Sequence, residues 1–254
     1  MALIKHFKNQ LERQPVFGIF SKTIDSSFVE VAGLSGLDFI ILDMEHGSAT
    51  LETIHHHVRA ALIGNTVPIV RVKSVDSYAI GSALDSGALG VQVPNISTAE
   101  QAKEAIFAAR FYPQGMRGVC RFVRAAEFGN MAKQTYFDKA NQALLVLQVE
   151  GMEGIANLDS ILELDGFDVL FVGPYDLSQS IGRPGEVDHP EVLQLISEIA
   201  DKAKKKGKVL GAFSDLKERN SALVDEGFHY IAYSVDVNIF SQAITQFIRE
   251  ARGA

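Results

Sequence analysis

The chain has 254 residues, 47% of them hydrophobic and 22% charged, enough to bury a large core in one barrel-sized domain or two small ones. A formal charge of −7 works against binding DNA or RNA, and no apolar run reaches the roughly 18 residues of a membrane span. With Cys120 as its single cysteine the chain forms no internal disulfide. The amino-terminal MALIKHFKNQLERQ lacks the apolar core and cleavage pattern of a signal peptide, so a cytoplasmic protein without nucleic-acid or membrane partners is expected.

In chain order, strand-length apolar runs are VFGIF (Val16–Phe20), FIILDME (Phe39–Glu45), VPIVRV (Val67–Val72), GVQVP (Gly90–Pro94) and LLVLQVE (Leu144–Glu150). DVLFVG (Asp168–Gly173), VLGAF (Val209–Phe213) and HYIAYSV (His229–Val235) follow. Continuous apolar runs of this length suit parallel strands covered on both faces. Between them lie helical patterns: Ser26–Gly36, Leu51–Gly64, Asp76–Gly87, Thr98–Phe111, Met152–Leu164, Pro190–Gly207, Asp215–Gly227 and Asn238–Ala251. Several open on Ser, Thr or Asp and stop at Gly, as capping chemistry favours.

Strands alternating with helices predict right-handed βαβ units, and eight such units favour an α/β fold of one (β/α)8 TIM barrel over residues 1–254. The longest irregular segment, Tyr112 to Asn130, is expected near the barrel mouth or at an interface. The last helix carries Phe240, Ile244, Phe247 and Ile248 on one face, which its own barrel or a neighbouring subunit must cover.

The strand ends carry the chemistry. In a parallel barrel the C-terminal ends meet at one mouth, so Asp43, Glu45, His46, Arg71, Glu150 and Asp176 are expected around one cavity. Glu150 and Asp176 end neighbouring strands, where two carboxylates invite a hard divalent cation; the alternative is solvation or pairing with lysine. His46 suits proton transfer near neutral pH, with Asp43 three positions earlier to orient it, or it caps the turn. Arg71, between two valines, points into the barrel, where it holds a carboxylate or enolate or pairs with Asp43 or Glu45. His55, His56 and His57 occupy consecutive helical positions about 100° apart and cannot chelate together. Neither a GxGxxG nor a Walker A pattern is present, and the segments after the last two strands lack phosphate-binding glycines.

LDMEH (Leu42–His46), PIVRV (Pro68–Val72), LDSGALGVQVPNISTAEQA (Leu84–Ala102), ARFYPQGMRG (Ala109–Gly118), QVEGMEGIANLDSI (Gln148–Ile161) and FVGPYDLS (Phe171–Ser178) together resemble the HpcH/HpaI aldolase family. These are metal-dependent pyruvate aldolases, and the resemblance spans nearly the whole chain. It implies Glu150 and Asp176 as ligands of Mg²⁺ or Mn²⁺, with Co²⁺ a further choice. It implies acid–base work for His46 supported by Asp43, and Arg71 on the keto and enolate oxygen. Gln148 lines the pyruvate end, and the backbone at Gly173 and Pro174 receives the carboxylate. Asp85 serves a neighbouring subunit's site, so a homo-oligomer is implied, commonly a hexamer with exchanged last helices.

On this resemblance the activity is cleavage or formation of 4-hydroxy-2-oxo acids, giving pyruvate and an aldehyde. The alternatives are an oxaloacetate-type decarboxylase, a CoA-thioester lyase, and a silent barrel that binds a 2-oxo acid. Gly151, where family members often have threonine, and Tyr175, where many have a small residue, depart from the pattern beside the metal-binding residues.

Overall fold

The computed structural model describes residues 2–253. Eight parallel strands close into a barrel in chain order, confirming the expected (β/α)8 fold. They are β1 (Val16–Ser21), β2 (Phe39–Asp43), β3 (Val67–Arg71), β4 (Gly90–Val93), β5 (Leu144–Val149), β6 (Val169–Val172), β7 (Val209–Ser214) and β8 (Tyr230–Val235).

The helices are α1 (Ala2–Leu11), α2 (Ser26–Leu34), α3 (Leu51–Ile63), α4 (Ser77–Asp85), α5 (Ala99–Ala109) and α6 (Lys133–Ala140). The short α7 (Met152–Ala156) and α8 (Leu158–Leu162) divide one expected helix at Asn157. There the side chain donates to the Ser97 carbonyl at 2.9 Å. Then come α9 (Pro174–Ser180), α10 (Pro190–Lys205), α11 (Lys217–Asp225) and α12 (Asp236–Arg252). Among the described residues, no helix is long and apolar enough to cross a membrane.

Strand side chains alternate between two packed layers, as their period of two requires. Ile40, Leu42, Val70, Val91, Leu145, Leu147, Leu170 and Ile231 belong to the large cluster that packs strands against helices. Val16, Phe20, Phe39, Ile41, Val67, Ile69, Leu144, Val146, Val169 and Phe171 fill the barrel interior. Phe39 is fully buried, stacked on Tyr230 at 4.0 Å and edge-on to Phe7 at 5.9 Å. Truncating it to alanine is expected to cost about 3–5 kcal/mol.

The strand pattern does not reveal α1, which precedes the first βα unit. Ile4, Phe7 and Leu11, at helical spacing, are buried and join the interior cluster from beneath. The segment Tyr112 to Asn130 links α5 to α6 and β5, so it lies on the N-terminal face and not at the barrel's own mouth. This corrects the expected placement near the mouth and leaves the alternative, an interface, standing. Phe111, Ala126, Met131 and Tyr136 anchor it in a separate small core, and Arg124 packs over Gly87. Helix α12 keeps only Asp236 buried; Phe240 (55% exposed) and Phe247 (67%) show that its own barrel leaves the apolar face uncovered.

Candidate active site at the barrel mouth

The inward alternation explains which side chains reach the mouth. Phe39 and Ile41 are followed inward by Asp43, Val67 and Ile69 by Arg71, and Leu144 and Val146 by Gln148 and then Glu150. Strand β2 pairs with β3 in a register that sets Asp43 beside Arg71, and β5 pairs with β6 with Gln148 beside Phe171. Each chemical group is therefore the next inward step of a hydrophobic strand.

Arg71 is buried and spends its fork on two carboxylates. Its Nε donates to Asp43 Oδ1 at 2.9 Å and Nη2 to Asp43 Oδ2 at 2.8 Å, while Nη1 lies 3.0 Å from Glu45 Oε2. The guanidinium carbon sits 4.6 Å from the Phe20 ring centroid, a cation–π contact that holds the fork's plane. Arg71 is thus both the ion-paired residue and a lining residue of the mouth.

Burial alone would raise the Asp43 pKa, but hydrogen bonds and charge from Arg71, with Lys22 at 2.9 Å, bring it down to about 2. Asp43 also accepts from the backbone N–H groups of Glu45 (3.0 Å) and His46 (3.3 Å). It therefore shapes the β2–α3 loop through the backbone. The His46 ring is largely exposed, and its charged neighbour is Glu45, with Nε2 3.8 Å from Oε2. Burial raises the Glu45 pKa, against the pull of Arg71.

Glu150 is buried. Its Oε1 accepts from the Asn95 backbone N–H at 2.8 Å, and its Oε2 from the Gln148 amide. Burial pushes its pKa up to about 7, against these two hydrogen bonds and with help from the charges of Asp176 and Glu45. Asp176 stands exposed on the first turn of α9. Between them Gly173 is required by space: a Cβ there would lie 2.7 Å from Glu150 Oε2 and 3.4 Å from Gln148 Nε2. Gln148 continues a polar chain, its Oε1 accepting from the Gln92 amide.

A cavity of about 160 Å³ opens beside these groups, lined by Lys22, Arg71, Gln148, Gly173, Pro174 and Asp176 with Phe20, Phe171, Tyr175, Phe213 and Val235 as its apolar wall. Of the six residues expected around it, Arg71 and Asp176 line it, while Asp43, Glu45, His46 and Glu150 do not. Tyr175 donates to Asp215 Oδ2 at 2.7 Å, a bond that pushes its pKa up to about 12, with burial adding to the shift. The other departure, Gly151, faces open space. Asp85 is not part of this gathering: it ends α4 on the opposite face of the barrel, ion-paired with Arg117. His57 is a satisfied buried histidine, its Nε2 donating to the Thr23 carbonyl at 2.9 Å and its Nδ1 accepting from Ser26 Oγ at 3.0 Å.

Sequence reasoning overlooked Lys22. Its signal was the inward parity of β1, where Val16, Gly18 and Phe20 precede it, but it lies just beyond the run's apolar end.

A parallel barrel that sets an arginine fork, a lysine and the Asp176 carboxylate around one small cavity at its mouth has the build of an enzyme. The chain belongs to the HpcH/HpaI aldolase/citrate lyase family, whose model matches residues 16–243. It is 34% identical to a 2-keto-3-deoxy-L-rhamnonate aldolase of Klebsiella pneumoniae subsp. pneumoniae, over 94% of this chain and 90% of that protein. Among solved structures, an HpcH/HpaI aldolase/citrate lyase family protein from Burkholderia cenocepacia J2315 superposes with a TM-score of 0.93 at 30% identity, covering 97% of this chain and 99% of that one. The citrate synthase SbnG superposes with a TM-score of 0.87 at 27% identity, covering 97% of each chain.

Proposed function

We propose that this protein, with residues 1–254 acting as one barrel domain, is a divalent-metal-dependent aldolase that splits 4-hydroxy-2-oxo acids into pyruvate and an aldehyde, and joins them in reverse. The observation that carries this reading is that Arg71 and Asp176 line one cavity, with Glu150 held behind its wall by the Gln148 amide. Glu150 is a buried carboxylate with a raised pKa and acidic neighbours; Arg71 is a guanidinium locked in place.

The residues present fit a hard cation. Glu150, just past the end of β5, and Asp176, on the first turn of α9, are oxygen donors on neighbouring βα units. Burial, and after it the charges of Asp176 and Glu45, raise the Glu150 pKa in a way that a cation would relieve. Mg²⁺ and Mn²⁺ accept one or two protein carboxylates, with substrate and water in the remaining positions. When bound, the ion supplies Lewis-acid stabilisation of negative charge on a 2-oxo acid.

The chain's own residues do the rest. Arg71 presents fixed N–H donors where the keto oxygen gains charge as the C3–C4 bond breaks. Gln148, with its amide committed to Glu150 and its oxygen to Gln92, holds the metal-facing carboxylate in place and borders the pyruvate end. The backbone at Gly173 and Pro174 seats the substrate carboxylate. His46, exposed beside Glu45, takes the 4-hydroxyl proton in cleavage and returns it in synthesis. Asp43, ionised far below neutral pH, is an anchor for Arg71 and not a base.

Asp85 acts across a subunit boundary, at the mouth of a neighbouring barrel. The uncovered face of α12 and the exposed Phe28, Val31 and Leu34 of α2 support exchange of α12 within a homo-oligomer, a hexamer in this reading.

Pyruvate release tests the proposal, measured over a panel of 4-hydroxy-2-oxo acids led by 2-keto-3-deoxy-L-rhamnonate, plus oxaloacetate, each with Mg²⁺, Mn²⁺ or EDTA. Metal-dependent pyruvate from a hydroxy-oxo acid is the expected result. Release from oxaloacetate alone would make the protein a decarboxylase, and turnover surviving thorough chelation would end the metal assignment.

A further inference from the structure

The Lys22 ammonium lines the same cavity as Arg71, Gln148 and Asp176, and its Nζ is 2.9 Å from Asp43 Oδ2. Asp43 does not need it for satisfaction. Arg71 already covers both carboxylate oxygens, and two backbone N–H groups reach Oδ1. One contact to Asp43 leaves an ammonium two N–H donors, and the side chain is 28% exposed at the mouth.

The backbone beneath Lys22 is tightly fixed. Asp236, which opens α12 and is nearly buried, accepts from the Lys22 N–H at 3.0 Å, the Thr23 N–H at 3.2 Å and the Ser21 hydroxyl at 2.9 Å. This carboxylate clamps the end of β1 to the start of α12 and so aims residue 22. A lysine held this way is preorganised, unlike a solvated surface lysine with many rotamers.

Charge explains what the lysine adds. The Asp43 carboxylate neutralises one unit of positive charge, so Arg71 with Asp43 alone is a neutral pair that offers an anion little net attraction. Glu45 pairs with the same guanidinium, so Arg71 with Asp43 and Glu45 carries a net negative charge. Lys22 on the far Asp43 oxygen brings that cluster to neutral and lowers its repulsion of an anionic substrate.

We infer that Lys22 is a second cation of the substrate site, presenting its free N–H groups to the oxygens of the 2-oxo acid and opposing the charge that grows on the keto oxygen as the enolate forms. This rests on the aldolase reading. When the C3 proton of pyruvate passes to the site's base, its electron pair moves onto the keto oxygen, and a monoanion becomes a dianion. A fixed positive charge favours the dianion over the monoanion, which separates this role from simple shape.

The test compares the full-length Mg²⁺-loaded wild type with Lys22→Met and Lys22→Arg, each shown folded by circular dichroism. Deuterium exchange into the pyruvate methyl group is followed by NMR in D₂O, and oxalate (a dianion of the enolate's shape) and pyruvate are titrated by calorimetry. Lys22→Met is expected to slow exchange and weaken oxalate by about tenfold or more, with pyruvate weakened clearly less, as loss of a charge-assisted hydrogen bond predicts. Lys22→Arg should recover most of both. Wild-type exchange in Lys22→Met, or equal weakening of both ligands, would overturn the inference. Absence of exchange in the wild type would instead sink the aldolase reading.

Discussion

Asp43 and Arg71 stand side by side on neighbouring strands and meet through two parallel hydrogen bonds, at 2.9 and 2.8 Å. The pair lies where hydrophobic barrel gives way to reactive mouth, one inward step above Ile41 and Ile69. Its geometry makes the guanidinium a fixed donor, and its buried carboxylate stays ionised with a pKa near 2.

Arginine and lysine should therefore differ sharply at position 71. Arg71→Lys keeps the charge but loses the planar fork, so the barrel should fold while kcat/KM falls by about 100-fold. Arg71→Ala strips the main partner from a fully buried carboxylate and is expected to cost about 3–5 kcal/mol of stability as well. Thermal melts paired with pyruvate-release kinetics separate the two effects. Turnover in Arg71→Lys within a few-fold of wild type would remove the fork from the mechanism.

Much of this was legible from patterning. Apolar runs ending on Asp43, Arg71, Glu150 and just before Asp176 placed the mouth, because a buried strand tolerates charge only where the core ends. What stayed hidden depends on contacts between distant segments. Lys22 gains meaning only when β1 lies beside β2 and Asp236 pins its backbone. Asp43 was expected to orient the His46 ring, yet three-residue spacing brings it only to the His46 N–H, while the ring faces Glu45. Helix α1 escaped a strand–helix count because its apolar face caps the barrel from below and belongs to no βα unit. Connection rules also place Tyr112 to Asn130 opposite the mouth, since it runs from a helix into a strand.

The raised pKa of Glu150 has a stability consequence with a definite sign. In the metal-free fold the carboxyl keeps its proton up to about pH 7, whereas the unfolded chain releases it near 4.5. The folded state holds the extra proton between those values, so this contribution is full below about 4.5 and is lost as pH rises through 7. Glu150→Gln, which cannot ionise, should gain on wild type by up to about 3 kcal/mol between about pH 4 and pH 8 in EDTA. Buried His57, with its pKa held down by desolvation, works in the opposite sense, but it is common to both proteins and cancels. A constant difference in melting temperature across that range would refute the assignment.

The uncovered face of α12 makes a statement about assembly. Phe240, Ile244, Phe247 and Ile248 project from a helix whose buried residue is Asp236 alone. Apolar surface gains about 25 cal/mol for each Å² removed from water, which favours a partner on that face. Light scattering should show an oligomer for wild type at micromolar concentration and smaller species for the double variant Phe240→Ser, Phe247→Ser. A wild-type monomer would return α12 to the status of a free helix and detach Asp85 from any neighbour's site.

Gly173 offers the narrowest test of the carboxylate cradle. Its φ of −92° is open to any residue, so conformational strain is not the obstacle to alanine there. Space is: the new methyl would sit 2.7 Å from Glu150 Oε2 and 3.2 Å from its Cβ. Glu150 has little freedom to yield, since Gln148 and the Asn95 N–H hold both its oxygens. Gly173→Ala should therefore shift Glu150, weaken Mn²⁺ binding measured by electron paramagnetic resonance, and lower turnover by about 100-fold with the barrel intact, as misplacement by about 1 Å commonly does. If Mn²⁺ bound the variant as tightly as wild type, the glycine would be making room for the substrate and not for the ion.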